Sequence, residues 1–297
     1  MHEKKQVRCI FCGEYKEGSR EHIIPEALEN CSLVINNVCT KCNNRLGSEI
    51  DAPFVDDFLV RMLRKALGIK GKQNSLPDVI SGTYKVEGGR KIRVDDEGHW
   101  SLLPAVIEED GIVYASASSE AESLRVIEKN VKRRLQREEI EWTEHTRSVL
   151  MKHQRITQQL FSPPETLPQC IDFRAISFGV LKVAYEYGSS ILGENYFNDE
   201  LAKTYRSILN DPSAASFAET QRYVHHVLAP KEMVIPWTDK CHVLCLITVE
   251  HAIVMNFTLF GSHAWNFQFL ISDHASNYRF LSPHCDIVII KAETGET

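Results

Sequence analysis

Four cysteines near the start of the chain stand in two identical pairs, Cys9-Ile-Phe-Cys12 and Cys39-Thr-Lys-Cys42. Two C-x-x-C turns aim four thiolates at one point, and zinc takes four such ligands in a tetrahedron. With every position filled by protein, an ion held there is structural, since no site stays open for water. The 26 residues between Cys12 and Cys39 exceed the need of a compact ribbon, and they hold Glu21-His22-Ile23-Ile24-Pro25. Asn43-Asn44 follows the last cysteine directly. A thiolate cage with a histidine in its loop and an asparagine on its rim is a frame suited to metal-dependent phosphodiester chemistry. Four unrelated buried thiols are the plain alternative, and the paired spacing argues against it.

The elements that must carry these residues follow from the patterning. After the cysteine module, Asp51 to Leu67 reads as one helix, with Phe54, Phe58, Met62 and Leu63 at helical spacing and Pro53 in its first turn. Gly68, Gly71, Ser75 and Pro77 then set a boundary near 68–78. Residues 83 to 118 are strand-like around Tyr84–Val86, Lys91–Val94 and Ile112–Tyr114, with Gly88-Gly89, Gly98 and Gly111 as turns. A helix starts at Ser118-Ser119-Glu120 and runs to about Arg137, with Lys129, Lys132, Arg133, Arg134 and Arg137 on its outer face.

A Pro-rich linker is expected at 162–168, then a helix over Phe173 to Leu192 and shorter ones over Glu200–Leu209 and Ala218–Val227. Val243–Thr248, Ile253–Leu259, Asn266–Ile271 and Ile287–Ile290 alternate as strands. The expected class is α+β, with a terminal antiparallel sheet. The domain expectation is a module over 1–70 and an α+β region over 71–297, with a sub-boundary near 161–170.

The cage, Glu21-His22-Ile23-Ile24-Pro25, Cys42-Asn43-Asn44 and the trailing Leu46-Gly47 resemble the HNH endonucleases, also called ββα-metal or His-Me finger enzymes. More narrowly they are similar to the zinc-knuckle subgroup with an E-H-I-I-P core. The likeness covers about residues 9–55. It implies a hairpin packed on a helix around one catalytic metal. His22 would be the general base that deprotonates the attacking water, a role suited to a group that titrates near neutrality. Glu21 and Asn43 would hold a hard divalent cation, magnesium or manganese, as Lewis acid. Adjacent residues of a strand point to opposite faces, so a bend or the metal geometry must bring Glu21 and His22 to one site.

The family's middle asparagine falls by strict spacing on Val34, so Asn37 is read only as a loop-orienting residue. Asn44, Glu49 and Asp51 are auxiliary ligand candidates, and Arg45 and Lys41 candidate phosphate donors. Each of the three site residues also has a plain reading: a surface histidine, a solvated acid, a helix cap.

Composition bounds the partners. The net charge of −6 over 297 residues excludes nucleic-acid binding by bulk charge alone, so contact needs a local patch, a metal or a second subunit. The basic face at 129–137 reads first as a solvated helix surface. Nine cysteines, four in knuckle spacing, suit a reducing, cytoplasmic setting. Cys31, Cys170, Cys241, Cys245 and Cys285 read as apolar thiols, with a second metal site through Cys241, Cys245, His274 and His284 as the alternative. No secretory peptide and no membrane span are expected.

The resulting expectation is a zinc-stabilised, magnesium- or manganese-dependent nuclease. DNA is favoured over RNA by family habit, restriction or anti-phage defence is the setting the resemblance suggests, and a partner protein or homo-oligomer would control it. The rival is a non-catalytic zinc module that binds nucleic acid or protein.

Overall fold

The computed structural model describes residues 6–28, 33–71, 74–86, 90–109, 112–152, 171–215, 217–227, 240–278 and 285–292. Cys31, Cys170, His284, the linker at 162–168 and the sub-boundary near 161–170 lie outside them, as do the turns at Gly88-Gly89 and Gly111. The chain forms two compact units: Met1–Pro77 together with Cys170–Thr297, and Asp78–Gln169. The cysteine module therefore groups with Cys170–Thr297, across the 1–70 and 71–297 division read from local sequence signals.

The first unit opens with an antiparallel sheet in the order β1 (Gln6–Arg8), β2 (Tyr15–His22), β3 (Val34–Cys39). Between the pairs Ser19↔Val38 and Glu21↔Ile35 the register slips, because β3 spends one residue more than β2. Gly18 lies so close to β3 that a Cβ there would sit 2.2 Å from the Asn36 carbonyl oxygen. From β3 the chain enters α1 (Thr40–Leu46), a π-helical turn over Gly47–Asp51, α2 (Ala52–Asp56) and α3 (Phe58–Leu67).

The single helix expected over Asp51–Leu67 is thus interrupted. Pro53 cannot donate to the residue four back, and its ring crowds that carbonyl; the wider π turn just before it relieves both. The break falls at Asp57, whose extended backbone and side chain cap α3 by accepting from Leu59 N at 2.9 Å.

The second unit holds a three-stranded antiparallel sheet, β4 (Gly82–Lys85), β5 (Lys91–Val94) and β6 (Trp100–Leu102), and a hairpin, β7 (Ala105–Glu109) with β8 (Ile112–Ser116). Then come α4 (Glu120–Arg137), capped by the Ser119 side chain, and α5 (Glu144–Lys152). The α4 start matches the Ser-Ser-Glu signal. α5 has a weak apolar stripe and was not expected.

The first unit resumes at α6 (Phe173–Leu192), whose bounds agree with the expected helix. Asp172 caps it through Arg174 N and Ala175 N. α7 (Glu200–Asn210) and α8 (Phe217–Thr220) follow, then β9 (His225–His226), β10 (Cys241–Val249), β11 (Ala252–Thr258), β12 (Asn266–Ser272) and β13 (Cys285–Lys291). The sheet is antiparallel in the order β13-β10-β11-β12-β9. The helix expected over Ala218–Val227 stops at Thr220. His225 and His226 instead pair with Gln268 and Phe267 on the free edge of β12, and Tyr223 meets the Tyr205 ring at 5.5 Å. Cross-strand pairing there overrides the local helical pattern.

α6 is buried around nearly its whole circumference. It touches α2, the π turn, α7, β11 and β12. Gly179 permits the approach to α2, since a Cβ would lie 2.3 Å from the Phe54 ring. Through α6 a continuous core joins Phe11, Ile23, Ile24 and Leu28 of the cysteine module to Phe257, Phe269 and Ile271 of the terminal sheet.

Candidate functional site

The cage forms at one end of the first sheet, where β1 turns into β2 and β3 enters α1. Cys9 N–H donates to the Glu14 carbonyl at 2.9 Å and Gly13 N–H to the Cys9 carbonyl at 2.8 Å, closing the first knuckle. Gly13 takes φ +74°, a left-handed conformation that suits glycine. The second knuckle spans the N-cap and first turn of α1, where Cys39 and Cys42 sit on consecutive turns of backbone. Asn37 joins them through its main chain, accepting from Ile10 N at 3.0 Å.

The four sulfur atoms all lie within 4.8 Å of one another, and Cys12 Sγ is 3.9 Å from Cys39 Sγ. Tetrahedral zinc with Zn–S of about 2.3 Å places its sulfurs ~3.8 Å apart, so the thiols fit this ion. Burial pushes the Cys9 and Cys42 thiols up, Cys9's charge adding to the effect at Cys42, so metal uptake must displace protons there. Among the described residues no other cluster of three His, Cys, Asp or Glu side chains could hold a metal. The second site considered for Cys241 and Cys245 gains nothing from this.

β2 carries the acid–histidine pair. Alternation along the strand separates them: Glu21 is 3% exposed, while His22 is half-buried. The next three residues, Ile23, Ile24 and Pro25, are buried and anchor the strand end that presents His22. Asn43 lies against the same strand, its Nδ2 donating to Arg20 O at 2.9 Å and Ser19 Oγ at 3.1 Å. An amide that donates through nitrogen keeps its oxygen as the acceptor a cation takes.

Glu21 does not face solvent. Its Oε1 lies 2.6 Å from Nζ of Lys182 on α6, a side chain with no exposure. The same ammonium reaches both oxygens of Asp51 at 3.1 Å and donates to the His22 carbonyl at 3.0 Å. Glu186, one turn further along α6, stands 3.4 Å away. Burial alone would lower Lys182, but Asp51, Glu186 and Glu21 outweigh it and keep the ammonium charged. Burial raises all three carboxyls, and Lys182 opposes the shift in each. At Asp51 the nearby His22 also lowers it. Glu186 is fully buried, and burial holds its carboxyl well above the usual carboxylate range.

The expected residues divide accordingly. Glu21, His22 and Asp51 come together at Lys182, with Asn43 bonded to the strand just before them. Arg45, expected as a phosphate donor, instead bonds the Leu209 carbonyl at 2.8 Å, one of the unsatisfied groups of a helix C-terminus, and the side-chain Oδ1 of Asn210 at 2.9 Å at the end of α7. Glu49 pairs with Arg45, whereas Asn44 and Lys41 are exposed. Lys182 and Glu186 were missed. Their signal was present as a lysine and a glutamate four residues apart inside the otherwise apolar run Phe178 to Leu192.

Residues 9–59 match the family model described as HNH endonuclease. The HNH match takes in all four cysteines, Glu21, His22, Asn43 and Asp51, and it ends at the start of α3. It spans 51 of 297 residues, and Lys182 lies outside it. No curated protein and no solved structure matches the chain. A carboxylate and a carboxamide are the oxygen donors a hard cation prefers, and the HNH module offers them in Glu21 and Asn43. One ion pair does not exhaust a carboxylate, which has two oxygens. No helix among the described residues is long and apolar enough to cross a membrane.

Proposed function

We propose that the protein is an HNH-type endonuclease hydrolysing phosphodiester bonds, with DNA favoured over RNA. The observation that carries this is the placement of His22: half-buried at the end of a strand held by the cysteine cage, with Lys182 bonded both to its main-chain carbonyl and to the Glu21 and Asp51 carboxylates. His22 takes the proton of the attacking water as general base. Glu21 and Asn43 would hold magnesium or manganese, which supplies charge stabilisation for the phosphate when bound. Lys41 and Arg20, both exposed on the rim, are the donors for the phosphate backbone. Cys9, Cys12, Cys39 and Cys42 would hold zinc and keep the hairpin and α1 in register. A setting in restriction or anti-phage defence rests on the family resemblance alone, and control by a partner protein or second copy on the large region beyond the matched residues, which would dock it.

A second reading has one observation in its favour. The Glu21 carboxylate meets an ammonium in the interior, which suits a zinc module that binds nucleic acid or protein without cutting. A plasmid-cleavage assay with magnesium and with manganese, native protein against His22→Ala, separates the two. The nuclease reading expects metal-dependent cutting that falls by about a hundredfold in the variant at unchanged zinc content. Native protein that binds DNA or RNA and cuts neither with either metal, alone or with neighbouring-gene products added, supports the binding module and ends the nuclease reading.

A further inference from the structure

We propose that Lys182 is a positioning residue for the hydrolytic site, acting through Glu21 and the main chain of His22. The inference rests on the nuclease reading of that site and deepens it. An ammonium has three N–H donors. Here they face Glu21 Oε1 at 2.6 Å, the His22 carbonyl at 3.0 Å and the Asp51 carboxylate at 3.1 Å. All three recipients lie within the HNH match, and the donor comes from the middle of α6. One side chain therefore grips the expected metal ligand and, through the backbone, the adjacent base.

A merely structural lysine needs no such arrangement. Burying an ammonium and the Glu21 carboxylate in the interior, with Asp51 and Glu186 beside them, is costly, and apolar side chains of the same volume would pack there at lower cost. The cluster also has a direction. Lys182 engages Oε1 of Glu21 from α6, which restrains the carboxylate and leaves Oε2 as the oxygen for an ion. A catalytic carboxylate displaced by about an ångström costs roughly a hundredfold in rate. At the same time a positive charge beside Glu21 opposes a divalent cation there. Lys182 thus trades metal affinity for geometry. Its removal should move the two properties in opposite directions, whereas loss of a structural prop would lower both.

The test uses the full chain with zinc loaded. Mn²⁺ binding is followed by electron paramagnetic resonance, and cleavage is measured at saturating Mn²⁺, for native protein, Lys182→Met and Lys182→Arg. In Lys182→Met we expect Mn²⁺ to bind several-fold more tightly while cleavage slows by on the order of tenfold or more. Lys182→Arg, which keeps the charge in a planar fork, should bind Mn²⁺ as the native protein does and still cut slowly. Folded variants with affinity and rate both within twofold of native overturn the proposal, and so does weaker Mn²⁺ binding coupled to slower cleavage. If Lys182→Met does not fold, the double variant Lys182→Met with Glu186→Met removes a buried acid along with the lysine and is read the same way.

Native protein whose Mn²⁺ signal is lost in Glu21→Gln, but which cuts nothing, overturns the nuclease reading while leaving the affinity shift as the test of Lys182. Native protein that binds no Mn²⁺ until Lys182 is removed overturns the positioning role, because the ammonium then stands in place of the ion.

Discussion

The ammonium of Lys182 lies 2.6 Å from the carboxylate of Glu21, and both are sealed from solvent. One residue comes from α6, beyond the middle of the chain, the other from the second strand of the cysteine module. The pair sits among side chains that belong to one continuous core. The module that carries the candidate chemistry is therefore built against α6, which has a direct hold on it.

The general-base role proposed for His22 makes His22→Ala the most informative single change. His22 is half-buried and its side chain is not part of the core that Ile23 and Ile24 enter. The variant should keep native zinc content and a melting temperature within a few degrees, and lose about a hundredfold in cleavage rate. An intact rate in a folded variant would remove His22 from the mechanism.

The cage should be sensitive to acid. Cys9 and Cys42 have thiols raised by burial, so protons compete with metal for them, and zinc affinity should fall as pH is lowered. Zinc release to a colorimetric chelator, followed from pH 8 to pH 5, measures this. Cys39→Ser should release zinc at every pH. Because Phe11, Val38 and Cys39 belong to the same core as Tyr185 and Phe257, it should also lower the unfolding midpoint of the whole first unit.

The approach of α6 to α2 depends on Gly179. Gly179→Ala puts a methyl where the Phe54 ring lies, and overpacking of this kind costs about 1–3 kcal/mol. Chemical denaturation should show that loss. Phe54→Leu, which gives up ring volume at the contact, should recover part of it in the double variant. Additive losses would show that the two residues do not meet.

His242 gives the fold a pH dependence of its own. Its Nδ1 accepts from Phe260 N–H at 3.4 Å and its Nε2 lies 3.3 Å from the Leu28 carbonyl, so the ring is neutral with the proton on Nε2. Burial pushes its pKa down to about 4. The unfolded chain, near the ordinary value of about 6.5, binds the proton first. Stability is therefore full above pH 6.5 and falls as pH drops toward 4, by up to ~1.4 kcal/mol per pH unit. Urea midpoints measured across that window should show the slope in native protein and a shallower one in His242→Phe. An unchanged slope would assign the acid sensitivity to other groups.

Much of the local structure was legible in the residues themselves. The paired knuckles, the α6 span, the Ser119 cap and the alternating strands of the terminal sheet are short-range patterns, and the forces behind them act within a few residues. The acid–His–Ile–Ile–Pro run and the Cys-Asn pair were likewise visible as order and spacing. The interruption at Asp57 was not, because it depends on how a π turn absorbs Pro53 and on Asp57 accepting from Asp172 N far along the chain. The strand at His225–His226 depends on an edge that β12 offers only once the sheet exists.

The sequence by itself determined a zinc-type cage, the residues of its loop and an α+β body, because those features are periodic or closely spaced. Only the tertiary structure decided that the cage packs on α6, that Glu21 turns inward while His22 stays half-exposed, and that Lys182 holds both. Those outcomes come from burial. A carboxylate brought into the core must find a cation there, and which cation the fold supplies is settled by packing between segments more than a hundred residues apart.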